Sequence, residues 1–354
     1  MKIINIRSPY IISINEAGQT ETKIELRIWK PGQTKPTAAT YILSKKSPSA
    51  SQTETIYNVS PFAKDFIENK IEAYNALSPL TEYNYCHIEV KTFYKTDADF
   101  VLKATEEMIC LNGYTRYTDG ANKFLDGNQM HILHPVSDIL YDRSRMADYY
   151  LQVYAPNGNY TAVYTADYRK QEIELTQGIN NIPVSFNKDY FEEGNFIYIQ
   201  DITATESDCC NKQPYAFKVT PVCELILSPV ICSYVNRFGA IQQMTFFKKK
   251  TDSIEVTSDK FNLMQQNWDF NPNMGAYKQF NFNGKQSVKI NSGFVPESYS
   301  ANIQDLMMSE SVWLDGTPVT VKSTGTELKT VLKNQLINYE IDFEYAFDLI
   351  NTVV

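Results

Sequence analysis

In Lys23-Ile24-Glu25-Leu26-Arg27-Ile28 apolar and charged residues alternate without a break, and a period of two is the signature of an extended strand with one buried face. Ile24, Leu26 and Ile28 are assigned to that face, and Lys23, Glu25 and Arg27 to water. The pattern returns near the end of the chain, where Tyr339, Ile341, Phe343, Tyr345 and Phe347 alternate with Glu340, Asp342 and Glu344. That strand carries an apolar face and a row of carboxylates, read as a solvated sheet face or as an acidic surface that lines a channel or meets a basic partner. The fold class expected is therefore mainly β: two to three antiparallel β-sandwich (immunoglobulin-like) or β-barrel domains with one or two short helices.

The 354 residues exceed what one core usually holds, so several domains are expected. An N-terminal β-sandwich domain is assigned to 1–112, with strands near 2–6, 23–28, 41–44, 55–57, 83–93 and 100–111. One helix interrupts it, with Ser60 as N-cap, Pro61 at the first helical position and Phe62, Phe66 and Ile67 on one side. Periodicity is lost over 113–135, where Gly113, Asp119-Gly120, Asp126-Gly127 and Pro135 mark turns, and this is read as an exposed connecting loop serving as an interface. Residues 136–228 are expected to form an immunoglobulin-like β-sandwich with strands near 149–154, 160–165, 172–175, 182–186 and 196–202. Pro156-Asn157-Gly158-Asn159 is read as a hairpin turn joining the first two. A C-terminal β domain covers 229–354, with an aromatic turn at Val235-Asn236-Arg237-Phe238-Gly239, a strand near 244–247 and an Asp315-Gly316 hairpin. Residues 262–277, rich in Asn, Met and aromatics, are a second candidate interface arm.

A net charge of -8 disfavours a general nucleic-acid binder, which needs a basic face. Lys248-Lys249-Lys250 reads as a solvated strand end at a turn. The opening Met1-Lys2-Ile3-Ile4-Asn5-Ile6-Arg7 has too short an apolar run for a secretory signal, and no run approaches the length of a membrane helix, so no membrane partner is expected. Six cysteines, Cys86, Cys110, Cys209, Cys210, Cys223 and Cys232, are too few for a disulfide scaffold and point to a reducing origin.

Candidate chemistry is thin. His131 and His134 have metal-ligand spacing, but the surrounding turns do not support a helix to hold them. Cys209, Cys210, Cys223 and Cys232 lack the paired CxxC knuckles of a zinc ribbon, and adjacent sulfurs converge poorly on one ion. Asp97 with Asp99 and Glu106 with Glu107 have the residue types of a glycosidase pair without a recognisable cleft motif. No GxSxG, HExxH, GxGxxG or phosphate-loop motif occurs, so no catalytic, cofactor or metal residue is assigned and the chain is expected not to be an enzyme. A further possibility is an enzyme with a β fold, such as a polysaccharide depolymerase, against which stand the lack of a long β-helix repeat of regular period and of a convincing acid pair.

The segments Asn5-Ile6-Arg7-Ser8-Pro9-Tyr10, Val235-Asn236-Arg237-Phe238-Gly239-Ala240 with Phe246-Phe247-Lys248, Leu336-Ile337-Asn338-Tyr339, and Asp348-Leu349-Ile350-Asn351 resemble virion structural proteins of tailed bacteriophages, of the crAss-like and Bacteroidetes-phage type. That resemblance implies a tail or neck ring, connector or fibre-attachment subunit, located in the virion and assembled in the host bacterial cytoplasm. Its partners would be other copies in a ring and portal, tail or fibre proteins, with nucleic acid only as the contents of a channel. The 24 Tyr and 19 Phe suit such an interface-building role, since aromatic side chains give large contact areas. The alternative is a carbohydrate-binding or adhesin module for host attachment, with Trp29 and Trp268 as the rings that stack on sugars.

Overall fold

The computed structural model describes residues 1–47, 49, 51–71, 85–96, 99–135, 138–142, 149–166, 169–184, 195–202, 215–222, 226–263, 273, 275–323, 325 and 336–351. The protein is mainly β, with several sheets and few, short helices.

The first group of strands comprises β1 (Lys2–Asn5), β2 (Ile11–Asn15), β3 (Glu21–Trp29), β4 (Tyr41–Lys46) and β5 (Glu54–Asn58), then helix α1 (Ser60–Lys64), β6 (Tyr85–Lys95) and β7 (Phe100–Leu111). A sheet in the order β4-β3-β6-β7-β1 continues into β8 (Phe124–Asp126), while β2 and β5 pair with each other. The alternation at 23–28 does what its period requires: Ile24, Leu26 and Ile28 are buried with Ile88, Val90 and Met108 against Ile12, Ile14, Tyr57 and Val59. The first strand lies parallel to the last, Lys2 opposite Met108 and Asn5 opposite Leu111, so chain-distant segments close the unit.

The next strands are β9 (His131–Ile132), β10 (Asp138–Asp142), β11 (Tyr150–Ala155), β12 (Tyr160–Ala166), β13 (Arg169–Leu175), β14 (Gly178–Pro183), β15 (Asn195–Asp201) and β16 (Tyr215–Val222). One sheet runs β13-β12-β15-β16-β10 and the other β14-β11-β9. The connectivity of β1 to β7 is repeated strand for strand by β10 to β16. In both, the fourth, third, sixth, seventh and first strands make one sheet, the second and fifth make the other, and the first and seventh run parallel. Leu151, Val153 and Ile182 face Ile197, Ile199 and Val219 across this second core.

The last group holds β17 (Val230–Val235), β18 (Ile241–Phe246), β19 (Lys250–Asn262), β20 (Tyr277–Asn291), β21 (Val295–Pro296), helix α2 (Ser300–Met307), β22 (Val312–Leu314), β23 (Thr317–Val321), β24 (Leu336–Ile337) and β25 (Glu340–Asp348). Seven of these strands form an antiparallel sheet ordered β18-β17-β22-β23-β25-β20-β19. Ile303 and Leu306 of α2 bury against Tyr234, Phe246, Val288, Ile341 and Phe343. Asp315 and Gly316 take φ of 47° and 81°, the positive values the expected two-residue turn demands, between the paired strands β22 and β23.

Three sequence expectations are corrected. Ser60 does not cap α1; it is the first helical residue, and its hydroxyl accepts from the Tyr10 N–H at 2.9 Å and donates to the Ser8 carbonyl at 2.8 Å. Pro156-Asn157-Gly158-Asn159 does not close a hairpin, because β11 pairs with β14 and β9 while β12 pairs with β13 and β15. The turn carries the chain from one sheet to the other, a change of direction for which the same Asn-Gly chemistry serves. Residues 113–135 are not one exposed loop: β8 pairs with β1, β9 pairs with β11, and Met130 and Leu133 are buried.

Candidate interaction surface

Strands β19 and β20 are the longest in the protein among the described residues, at 13 and 15 residues. At roughly 3.4 Å per residue, β19 spans about 44 Å. The half of β20 nearest β25 is tied into the sheet through Val288 and Ile290, which bury opposite Phe343 and Ile341. The other half, paired among the described residues only with β19, forms an arm. Almost every residue of β19 is exposed, and so are the first six of β20. Asn281, with φ 51°, lies where β20 holds one residue more than β19 between the pairs Thr257–Asn283 and Asp259–Phe280. The bulge is therefore on β20, and β19 runs unbroken.

The two faces of the arm differ. On one, Ile254 and Val256 are 62% and 61% exposed. Leu349 joins them, seated where Gly284 has no side chain: a Cβ at Gly284 would stand 3.0 Å from Leu349 Cδ1. Asp252 and Lys260 lie on the same face by the two-residue period. On the opposite face the charges are matched within the chain, Lys285 to Glu344 at 3.2 Å and Lys322 to Glu255 and Glu344 at 3.5 and 3.6 Å. The hydrogen bond from Lys285 lowers the Glu344 carboxyl and, with the nearby carboxylate charges, raises the Lys285 ammonium. Such exposed pairs add little stability, but they leave that face without net demand for a counter-charge. The carboxylate row expected along β25 is thus largely committed to lysines, and Phe347 at its far end is exposed.

A second site is the seam between the first and last groups of strands. Gly113 and Gly239 bring two backbones together: a Cβ at Gly113 would meet the Arg237 carbonyl oxygen, and one at Gly239, whose φ is 78°, would stand 2.7 Å from the Asn112 nitrogen. Tyr114 N–H donates to the Arg237 carbonyl at 2.8 Å, and Tyr114 Oη donates to Asp305 Oδ1 at 3.0 Å. Burial pushes the Asp305 carboxyl up, against the hydrogen bonds from Tyr114 and the Arg237 N–H that pull it down. Burial, with the Asp305 carboxylate, pushes the Tyr114 hydroxyl up to about 12. Arg116 donates to Gln304 at 3.0 Å, and Arg7 pairs with Glu310 at 3.3 Å. Asn236 completes the seam from the turn, donating to the Leu133 carbonyl and to Gln242 while its Oδ1 accepts from the Phe238 and Ala240 N–H groups. A cavity of about 160 Å³ beside it, lined by Asn5, Tyr114, Lys123 and Arg237 among others, is smaller than most ligand pockets. These groups fix one strand group on another, and a more open depression of about 400 Å³ on the same seam is lined by Arg7, Tyr114, Lys64 and Glu310 among others.

The remaining sequence candidates are dispersed. His131 shares a hydrogen bond with the Asp126 carbonyl at 2.7 Å and stacks on Tyr154, whereas His134 meets the edge of Phe217. No group of three or more metal-ligating side chains occurs among the described residues. Cys86 and Cys110 stand opposite each other on β6 and β7, both buried free thiols, as is Cys232. Cys209, Cys210 and Cys223 lie outside the described residues, as do Asp97 and Trp268. Adjacent Glu106 and Glu107 point to opposite faces of β7, and Glu106 pairs with Lys2 at 3.0 Å. Trp29 is buried, stacked on His87 at 5.4 Å and covered by Lys35 at 5.5 Å, so no ring face is open to a sugar. No described helix is long and apolar enough to cross a membrane. The arm was missed in the sequence because it buries almost nothing; Ile254 with Val256 and Phe280 with Phe282 are the short alternations that mark it.

No family model and no curated protein matches the chain. Among solved structures the chain is similar to zebrafish RET cadherin-like domains 1 to 4, at 10% identity over 76% of this chain and 62% of that one, with a TM-score of 0.13. The chain therefore spans less than two thirds of that structure.

Proposed function

We propose that the chain is a non-enzymatic structural subunit of a tailed-phage virion, a tail or neck ring, connector or fibre-attachment protein that acts through multi-subunit protein–protein interfaces. The observation that carries the interaction role is the arm. Monomeric proteins blunt their sheet edges with bulges, short strands or covering loops, yet β19 is long, unbulged and exposed beside Ile254 and Val256. A surface of that kind is complementary to another chain.

The two repeated strand groups are read as immunoglobulin-like sandwiches, in which a C′-C-F-G sheet faces B and E strands and the first strand closes in parallel against G. The two groups and the last sheet share buried apolar clusters, which give the interaction arm a firm base. The virion assignment, and with it partners such as portal, tail or fibre proteins, rests on the resemblance of the turn and strand segments. Mass spectrometry of purified virions, with antibody-labelled electron micrographs, is expected to find the chain in the particle at multiple copies. Its absence from particles of a phage that expresses it would overturn the assignment.

The second reading, a carbohydrate-binding or adhesin module for host attachment, is favoured by aromatic rings held out to solvent, Tyr117 and Tyr277 foremost. Glycan-array binding that is lost on Tyr117→Ala or Tyr277→Ala is its expected signature. An array without any signal removes that reading.

A further inference from the structure

We infer that β19 is a self-complementary edge that pairs antiparallel with β19 of a second copy of this chain, across a twofold axis at Val256. The inference deepens the reading of the arm as a protein–protein interface and rests on it.

Three observations converge on this partner and register. The first is which backbone groups are open. Leu349 N–H donates to the Gly284 carbonyl at 2.8 Å, so Gly284 turns its backbone toward β25 and away from β19. Its cross-strand partner Val256 must then turn its own N–H and C=O to the open side. Alternation along the unbroken strand opens the same groups at Lys250, Asp252, Ile254, Ser258, Lys260 and Asn262. At the tip, Leu263 N–H donates inward to the Ala276 carbonyl at 2.9 Å, as the alternation requires. Val256 is the middle of the strand and of this open set.

The second observation is charge. Full antiparallel overlap of β19 with itself sets Asp252 opposite Lys260 of the other copy, twice by symmetry, and sets no like charges opposite one another. Moving the axis to Glu255 opposes Glu255 to Glu255 and Lys250 to Lys260. Moving it to Thr257 opposes Glu255 to Asp259. The register of greatest length is thus also the register of best charge complementarity. Asp252 has a neighbour in Lys250 at 3.4 Å, but both are well exposed and that pair is a weak competitor.

The third is the apolar face. A twofold axis normal to the sheet at Val256 keeps both copies' Ile254 and Val256 on one side, where they and Leu349 of each copy form one continuous patch. Axes lying in the sheet plane would place the two patches on opposite sides, each still facing water. Pairing in this register joins the two seven-stranded sheets edge to edge.

The test is molar mass in solution by light scattering on the full chain at micromolar concentration, with circular dichroism to verify folding. The wild type is expected at twice its 40.6 kDa mass, or at a multiple of that dimer. Val256→Pro removes an N–H that β20 does not use, so the strand should persist while self-association weakens about tenfold or more. Asp252→Lys should weaken it similarly, and Asp252→Lys with Lys260→Asp should restore it. Val256→Cys should form a disulfide with its own copy under mild oxidation, and Lys250→Cys should not. A wild type that is monomeric throughout, or a Val256→Pro chain that associates unchanged, would overturn the pairing. Either result together with recovery of the chain in virions would leave the virion role standing, so the two readings fail separately.

Discussion

Glu89 shows how an ionised side chain is accommodated on a β face. Only 7% of its side chain is exposed, yet Arg27 donates to it at 2.6 Å and Lys35 pairs with its other oxygen. Burial alone raises its pKa; the hydrogen bonds from Lys35 and Arg27 outweigh that, and the net shift is downward. A carboxyl lowered in the folded state adds stability that is present above its unfolded pKa and is lost as pH falls through the folded one. Glu89→Gln should therefore cost about 2 kcal/mol at pH 7, and the gap should narrow once pH drops below the ordinary carboxylate range and close as pH falls through the lowered folded-state pKa. Thermal melts of both proteins across that range check it, and a gap that stays constant would contradict the assignment. The same neighbourhood explains why Trp29 is not a sugar platform. A Trp in sequence advertises an exposed ring and a core ring equally, and only packing on His87, whose pKa burial lowers, tells them apart.

At the scale of elements, what the sequence made legible tracks what each strand buries. The strand expected at 100–111 matches β7 residue for residue, and the alternation at 23–28 lies within β3. Those strands have a buried face that imprints a period on the sequence. The arm has none, and a strand solvated on both faces selects Thr, Ser, Asp and Lys without regard to side. The turn at 156–159 failed for another reason: turn chemistry reports that the chain bends, and the pairing of β11 with β14 is decided elsewhere. The seam was half visible, since Gly113 and the Asn236-to-Gly239 turn were both marked, but nothing local says that they touch. Their contact sets an expectation. Gly113→Ala has no space for its methyl beside the Arg237 carbonyl and should lower stability by about 1–3 kcal/mol in urea titrations. An unchanged midpoint would mean that the two backbones lie farther apart.

Across the whole molecule the cores run into one another. Ile231 of β17 is buried in the core between the two sheets of the second strand group, and Leu140 of β10 packs on the core under α2. A further cluster gathers Ile3, Tyr85, Ile109 and Leu111 from the first group, Leu133, Tyr154 and Ile179 from the second and Ala240 from the third. The first sheet is thus buried on both faces over part of its width. Groups that share apolar clusters should unfold together, so calorimetry is expected to show one cooperative transition. Two well-separated peaks would show that the seams contribute less than the cores.

The parallel closure of each repeated group also sets a clock. Lys2 cannot meet Met108 until both have been made, and at about 5–20 residues per second that leaves the first strand waiting roughly 5–20 s behind the ribosome. The second group repeats the delay, with Asp138 waiting for Lys218. Each strand group is finished by its last strand, so a nascent chain stalled short of β7 or β16 presents an open sheet to whatever lies nearby, including the same stretch on the next polysome-bound chain.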